Sequence, residues 1–161
     1  MNNNIFITKE NVTCSNCGKL IQRFLGASVY IIICSYCEIA YYCYSGSLEK
    51  STASFKKVYK TFDIPIGSKG TIKGIPYIVV GICRKKEKNS SNYWNEYLLF
   101  NPLKGYATLA EYNGHWNYVV ELHSIPTKVT AQEFTYEGNT YALYSTYGAQ
   151  TPQAVGEFPF E

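Results

Sequence analysis

The stretch CSNCGKLIQRFLGASVYIIICSYC, residues 14–37, decides how the N-terminal third of this 161-residue chain folds. It contains two Cys-x-x-Cys pairs, Cys14 with Cys17 and Cys34 with Cys37, separated by sixteen residues. This spacing is typical of a four-cysteine metal site, because two intervening residues let a tight turn aim both sulfurs at one ion. The four cysteines are therefore predicted to hold a structural zinc ion with no open position for a substrate.

Other uses of these cysteines are kept as alternatives. The four could hold iron or an iron–sulfur cluster, or stay plain thiols. A pair of redox motifs would need an oxidising compartment or a strand–helix–strand context, and the sequence shows neither. Cys43 is an alternative ligand to Cys37, but its spacing from Cys34 does not suit a knuckle, so we expect it to pack among tyrosines. Cys83 lies in an apolar run and is expected to be a small buried hydrophobe.

Short strands are predicted around the cysteines, at residues 20–24, 29–33 and 39–44. A unit of this size buries too little apolar surface to fold alone, so metal binding is expected to supply much of its folding energy. The predicted organisation is a zinc ribbon at 1–46, a linker with at most one short helix at 47–62, and an antiparallel β-domain at 63–161.

The composition favours sheet over helix in the rest of the chain. Sixteen tyrosines and eight phenylalanines suit half-buried strands. Strands are predicted at 75–83, 93–100, 106–112 and 116–122, with an Asn113–Gly114 turn between the last two. The expected fold class is all-β: a small N-terminal zinc ribbon followed by an antiparallel β-sandwich or small β-barrel.

The hydrophobic content of 46% against 17% charged residues excludes a disordered chain. The N-terminus lacks the basic start and apolar run of a secretory signal. Residues 24–44 carry a single charge, Glu38, but their cysteines, tyrosines and β-branched residues favour buried strands over a transmembrane helix. We therefore expect a cytoplasmic protein with no transmembrane segment.

Candidate catalytic groups are few. The chain has two histidines, His115 and His123, and neither forms a recognisable motif with Cys83. Asp63 is the only aspartate, and no glycine-rich phosphate loop is present. These observations predict a protein that is not an enzyme, an accessory or interaction protein with a protein partner.

Nucleic-acid binding is the alternative function. Residues 50–104 hold eleven Lys or Arg against three acidic residues, whereas residues 105–161 hold one lysine against six glutamates. A net charge of +3 is small for a nucleic-acid-binding domain. The candidate phosphate contacts are Lys56, Lys57, Lys60, Arg84, Lys85, Lys86 and Lys88.

An ordered set of motifs runs through the β-domain. They are Ile66-Gly67, Gly74-x-x-Tyr77-x-Val79-x-Gly81, Trp94-x-Glu96-Tyr97, Leu109-x-Glu111, Gly114-x-Trp116 and Gly156-Glu157-Phe158-Pro159. In these motifs residues 63–161 resemble a bacterial family known as domain of unknown function 4178, whose members are often preceded by a cysteine ribbon.

The resemblance implies an all-β domain, and it supplies no activity, substrate or catalytic residues that could be carried over to this chain. It also implies a setting among proteins of membrane-stress or polyamine systems. Family members continue into a further strand region after Gly156–Pro159, whereas this chain ends at Glu161. A missing strand would leave an unpaired edge, so self-association through an edge strand is expected.

Four residues within the matched motifs are candidates for ligand binding: Trp94, Glu96, Glu111 and Trp116. The tryptophans are expected to be core residues, because each ring buries a large area. A cationic ligand would suit them if they lined one concave face together with Glu96 or Glu111.

Overall fold

The computed structural model describes residues 8–24, 28–44, 47–55, 62–144, 146 and 148–159. Within these ranges the chain forms strands and turns and no helix. The strands are β1 (Lys9–Thr13), β2 (Leu20–Phe24), β3 (Ile31–Ile33), β4 (Ile39–Tyr44), β5 (Ser47–Ser54), β6 (Lys69–Ile72), β7 (Ile75–Glu87), β8 (Tyr93–Asn101), β9 (Gly105–Tyr112), β10 (His115–Val120), β11 (Thr127–Lys128), β12 (Glu133–Tyr136), β13 (Asn139–Ala142) and β14 (Ala149–Phe158).

All pairings are antiparallel and form three sheets. The main sheet has the order β10-β9-β8-β7-β14-β3-β4-β5, with β6 on β7; β1 pairs with β2, and β11-β12-β13 form a separate meander. The all-β antiparallel class predicted from the sequence is confirmed. The described part of the sheet is open, so it is not a closed barrel.

The centre of the main sheet is buried on both faces. Tyr77, Val79 and Ile82 of β7 pack on one face, and Ile78 and Val80 pack on the other. A register shift between Val79 and Gly81 puts Ile82 on the same face as Val79. Burial on both faces explains why β7 reads as a continuous apolar run instead of an alternating one.

The strand β14 joins the two predicted domains into one sheet. It pairs with β7 through Gly156 and Gly81 and with β3 through Gly156 and Ile33. A Cβ added to Gly156 would meet the Val80 carbonyl oxygen, so the two backbones approach as only glycine allows. The domain boundaries stay a prediction, but β3, which leads into Cys34, is a hydrogen-bonded neighbour of β14 in the β-domain.

The predicted linker is wrong in its first half. Residues 47–54 form β5, which pairs with β4 in place of a linker or short helix. Its alternating polar and small residues suit an edge strand, and the pairing supplies backbone hydrogen bonds that a free linker would lack. Residues 56–61 of the predicted linker lie outside the described residues.

The unpaired edge expected near Gly156–Pro159 is not at β14, which has a hydrogen-bonded neighbour on each side. Over the described residues the outer strands of the main sheet are β5 and β10. The search of these residues also finds no helix that is long and apolar enough to span a bilayer.

Candidate metal centre

Four thiols converge at the end of the ribbon. The sulfurs of Cys14, Cys17, Cys34 and Cys37 all lie within 4.8 Å of one another. Cys14 Sγ is 3.6 Å from Cys37 Sγ, and Cys17 Sγ is 3.8 Å from Cys34 Sγ. None of the four is in a disulfide. The arrangement can hold one metal ion, as the Cys-x-x-Cys spacing predicts.

Two turns of the same construction present these thiols. In the first, the Gly18 amide donates to the Cys14 carbonyl at 2.9 Å; in the second, the Glu38 amide donates to the Cys34 carbonyl at 2.9 Å. The residue after each second cysteine has a left-handed backbone, with φ of 71° at Gly18 and 57° at Glu38. Glycine meets this requirement without strain in the first turn, whereas a glutamate adopts it in the second.

The two turns differ in burial and in proton affinity. Cys14 and Cys34 are 1% and 0% exposed, and Cys17 is exposed. Burial raises the pKa of Cys34 to about 12. Burial also acts against ionisation of Cys14, but hydrogen bonds from the Tyr41 hydroxyl and the Cys17 and Asn16 amides bring its pKa down to about 6. Cys14 therefore becomes a thiolate more readily than Cys34 before a metal binds.

Tyr41 supports the first turn from beneath. Its hydroxyl is 3.1 Å from Cys14 Sγ and also accepts from the Asn16 amide at 3.2 Å and the Ser15 hydroxyl at 3.3 Å. Sequence analysis missed this role. The available signal was that Tyr41 lies on the strand that follows the second cysteine pair, close enough in sequence to return beneath the site.

The remaining cysteines lie apart from the four thiols. Cys43 packs half-buried beside the cluster formed by Cys14, Ile21, Ile32, Cys34 and Tyr41. Cys83 is buried on β7, as expected, with its sulfur 3.9 Å from Glu96 Oε2. Burial raises the pKa of the Cys83 thiol to about 12. Neither cysteine lies in the four-thiol group.

The four candidate ligand-binding residues lie on two faces of the sheet. Trp94 donates to Glu96 at 2.8 Å on one face, where Lys85 also lies 3.2 Å from the Glu96 carboxylate. Glu111 and Trp116 are cross-strand partners on the opposite face from Trp94. There the centroid of the Trp116 ring lies 5.7 Å from that of the Tyr97 ring.

Both tryptophan rings are more open to solvent than core residues, with Trp116 44% exposed and Trp94 half-buried. Trp94, Glu96 and Glu111 line one cleft, and Trp116 is not among the residues that line it.

The basic residues of the nucleic-acid alternative are divided as well. Arg84 and Lys86 pair with Asn95 and Tyr93 on the Glu111 face, whereas Lys85 is ion-paired on the opposite face. The lysines at 56, 57 and 60 lie outside the described residues.

A buried acid that the sequence analysis did not single out lies where β14 meets β3. Glu157 is 1% exposed; its Oε1 accepts from the Phe24 amide at 2.9 Å, and its Oε2 has no hydrogen-bond partner among the residues that the structure describes. Burial raises its pKa to about 7, against the opposing effect of that amide and of Arg23. The signal in the sequence was a glutamate inside the apolar run Ala154–Phe158.

The comparisons agree with the motifs in the β-domain. The model of the family described as Domain of unknown function (DUF4178) matches residues 65–161, so the chain belongs to this family. The resemblance found in the sequence is confirmed over this range. No curated protein and no solved structure matches the chain.

Proposed function

We propose that this chain is a non-catalytic accessory protein of the cytoplasm, held at its N-terminal end by one structural zinc ion, that acts by binding another protein. The four-thiol cluster is the observation that carries the proposal. Four protein ligands complete a tetrahedral shell, so such an ion stabilises the fold and has no position for a substrate. The family resemblance points to a membrane-stress or polyamine system as the setting.

The sulfur spacing supports zinc. A Zn–S bond of about 2.3 Å in a tetrahedron puts neighbouring sulfurs about 3.8 Å apart. The sulfur–sulfur separations of 3.6 Å for Cys14–Cys37 and 3.8 Å for Cys17–Cys34 fit this value. Soft thiolates also select zinc or iron over hard cations such as Mg²⁺.

Metal analysis of the purified chain tests the zinc assignment. We expect one zinc per chain by elemental analysis, and one after purification of Cys43→Ala, because Cys43 lies outside the cluster. Cys17→Ala should retain no zinc after dialysis. Stoichiometric iron with visible absorbance, or a metal-free protein whose four thiols are alkylated without denaturant, would overturn the assignment.

Exposed apolar side chains support the protein partner. They concentrate on β10 and the segment after it, next to the outer edge of the main sheet. Apolar residues gathered beside an open strand edge are typical of a surface that pairs with another chain. They include Trp116, Val119, Val120, Leu122 and Ile125.

A charge on this edge tests the partner proposal. In affinity capture from the native organism, Val120→Lys should no longer recover the partner protein that the wild type recovers. A lysine on an edge strand opposes pairing with a strand of another chain. Leu103→Lys is the matched control, since Leu103 is 92% exposed and lies in the turn between β8 and β9 instead of on the edge strand. Equal recovery of every captured protein by Val120→Lys and the wild type would reject this surface. Sedimentation of both variants tells whether the partner is a second copy of the chain.

Nucleic-acid binding through the ribbon and residues 50–104 is the competing outcome. The division of Arg84, Lys85 and Lys86 between two faces gives little support for a continuous phosphate-binding stripe. A gel-shift series across salt separates the two functions, because phosphate contacts weaken steeply as salt rises. Tight binding with such a slope would replace the protein-interaction proposal.

A further inference from the structure

A second candidate site lies on the Glu111 face of the sheet, away from the cysteines. A cleft of about 970 Å³ opens between the end of β7 and the start of β14. Its volume is in the range of small-molecule sites. Two basic residues of β7 line it, Arg84 and Lys86, two positions apart and therefore on the same face of the strand.

Arg84 is held in place by a chain of hydrogen bonds. Its Nε donates to Asn95 Oδ1 at 3.0 Å, and Asn95 Nδ2 donates to Glu111 Oε2 at 3.0 Å. The other Glu111 oxygen accepts from the Gly114 amide at 2.8 Å. The chain fixes the amide orientation of Asn95, because one end must accept from Arg84 and the other must donate to Glu111.

The aromatic contacts fix the two cations further. The Arg84 guanidinium carbon lies 5.6 Å from the centroid of the Phe62 ring, and Lys86 Nζ lies 5.5 Å from that of Tyr93. Contacts of this kind hold a cation against a ring face without neutralising its charge. The two basic heads are thus positioned by neutral rings and an amide.

Two carboxylates, Glu111 and Asp63, also line the cleft. Glu111 uses both oxygens on Asn95 and Gly114, and Asp63 is exposed. Over the described residues neither Arg84 nor Lys86 forms an ion pair. The guanidinium edge that is not bonded to Asn95 keeps its donors for an oxyanion.

We propose that this cleft binds a phosphate group carried by a small molecule. A fixed arginine fork matches the spacing of phosphate oxygens, and a second cation nearby suits the double charge of a phosphate monoester. The remaining volume accommodates the rest of the molecule against the Tyr93 ring. Glu111 takes the role of a positioning residue for Arg84.

Calorimetric titration of the full-length protein tests the proposal, with inorganic phosphate and glycerol 3-phosphate as probes. We expect both to bind, the monoester at least as tightly as the free ion. Arg84→Gln should weaken both by about tenfold or more, as loss of a bidentate charged contact does. Lys104→Gln, a change of equal charge at an exposed turn residue, should leave both affinities within about a factor of two.

Asn95→Leu separates positioning from net charge. It removes the bond to Arg84 and changes no charge, so affinity should fall several-fold with Arg84 still present. Unchanged thermal unfolding of each variant shows that the sheet is intact. No heat with either probe, equal weakening by Lys104→Gln, or binding only of a single-stranded oligonucleotide would each overturn the proposal. The zinc and partner tests do not depend on this result.

Discussion

The cysteine end and the central sheet of this protein are held together in different ways. The cluster around the thiols contains five buried residues, of which Cys14 and Cys34 are metal-ligand candidates and Tyr41 contacts one of them. The central sheet buries large apolar side chains on both faces, Val80 and Leu98 on one and Tyr97 and Leu99 on the other. We therefore expect the stability of the cysteine end to depend on a bound metal ion and that of the central sheet on apolar burial.

Metal loss should therefore affect the two regions unequally, and this is the largest effect we expect. In Cys17→Ala, the amide protection of β1 and β2 should fall to that of an unfolded chain, because structural zinc ions contribute on the order of 10 kcal/mol to such units. Cys17 is exposed, so its replacement opens no cavity. Hydrogen exchange read by mass spectrometry measures the loss by segment.

In the same experiment, the loss of amide protection should differ from strand to strand. β3 should keep part of its protection without metal, since Ile31 and Ile33 belong to the central core and the strand is bonded to β14. β7 and β8 should keep all of theirs. Cys43→Ala is the control and should resemble the wild type. Uniform loss of protection across the chain would show that the two regions do not differ in the way described.

The junction between the regions gives the second largest effect. Gly156 has φ of 93°, and an added Cβ would meet the Val80 carbonyl oxygen and lie 2.7 Å from Ile66 Cδ1. Gly156→Ala should lower the free energy of unfolding by about 4 kcal/mol, from backbone strain and overpacking together. Urea denaturation measures it. Gly70→Ala, with no atom near its added Cβ, should change stability by less than about 0.5 kcal/mol.

A destabilisation of Gly156→Ala no larger than that of Gly70→Ala would show that β14 does not pass as close to β7 as described. A large loss of amide protection confined to β3 and β4 would show that the central sheet supports the ribbon through β14.

Glu157 adds a pH dependence to this junction. Its pKa rises on folding from about 4.5 to about 7, because burial disfavours the carboxylate. Its contribution to stability is thus complete below about pH 4.5 and is lost as pH rises through 7. A shift of this size corresponds to roughly 3 kcal/mol. Glu157→Gln should remove that loss and be more stable than the wild type at pH 8.

The groups that face Glu157 define the control. The pKa of Glu157, which burial raises, is also affected by the charges of Arg23 and Glu10. Burial in turn raises the pKa values of Cys43 and Tyr106, and the charge of Glu157 raises them further. Unfolding is therefore compared between wild type and variant at saturating zinc from pH 5 to 8, so that thiol ionisation is common to both. Glu133→Gln, on an exposed strand residue, should follow the wild type. Parallel curves for Glu157→Gln and the wild type would contradict the prediction.

The same comparison explains how much the sequence could predict. The cysteine spacing predicted the metal site and the strands β2 and β4 around it, and the residue types predicted the Asn113–Gly114 turn, because these features depend on residues close in sequence. The end of β7 was placed too early, since Arg84–Glu87 are polar and their pairing with β8 and β14 is set by distant strands.

Features that depend on partners distant in the sequence could not be predicted from local residue patterns. β5 is polar, and only its pairing with β4 makes it a strand. The family motifs contain both tryptophans together with Glu96 and Glu111, but they do not contain the sheet register. That register puts Trp94 and Trp116 on opposite faces of the sheet. The burial of Glu157 likewise follows from β14 lying between β3 and β7.

The smallest expected effect tests whether the ribbon tunes its own metal site. Tyr41→Phe removes the hydroxyl 3.1 Å from Cys14 Sγ and should weaken zinc binding about tenfold, the lower end of what partners of metal ligands contribute. Competition with a chromogenic chelator measures the affinity. Tyr42→Phe is the matched control, because Tyr42 packs against Tyr30 and Tyr44 away from the thiols. Equal affinity of Tyr41→Phe and the wild type would mean that the four thiolates alone set zinc affinity and that the Tyr41 hydroxyl serves the Asn16 and Ser15 donors instead.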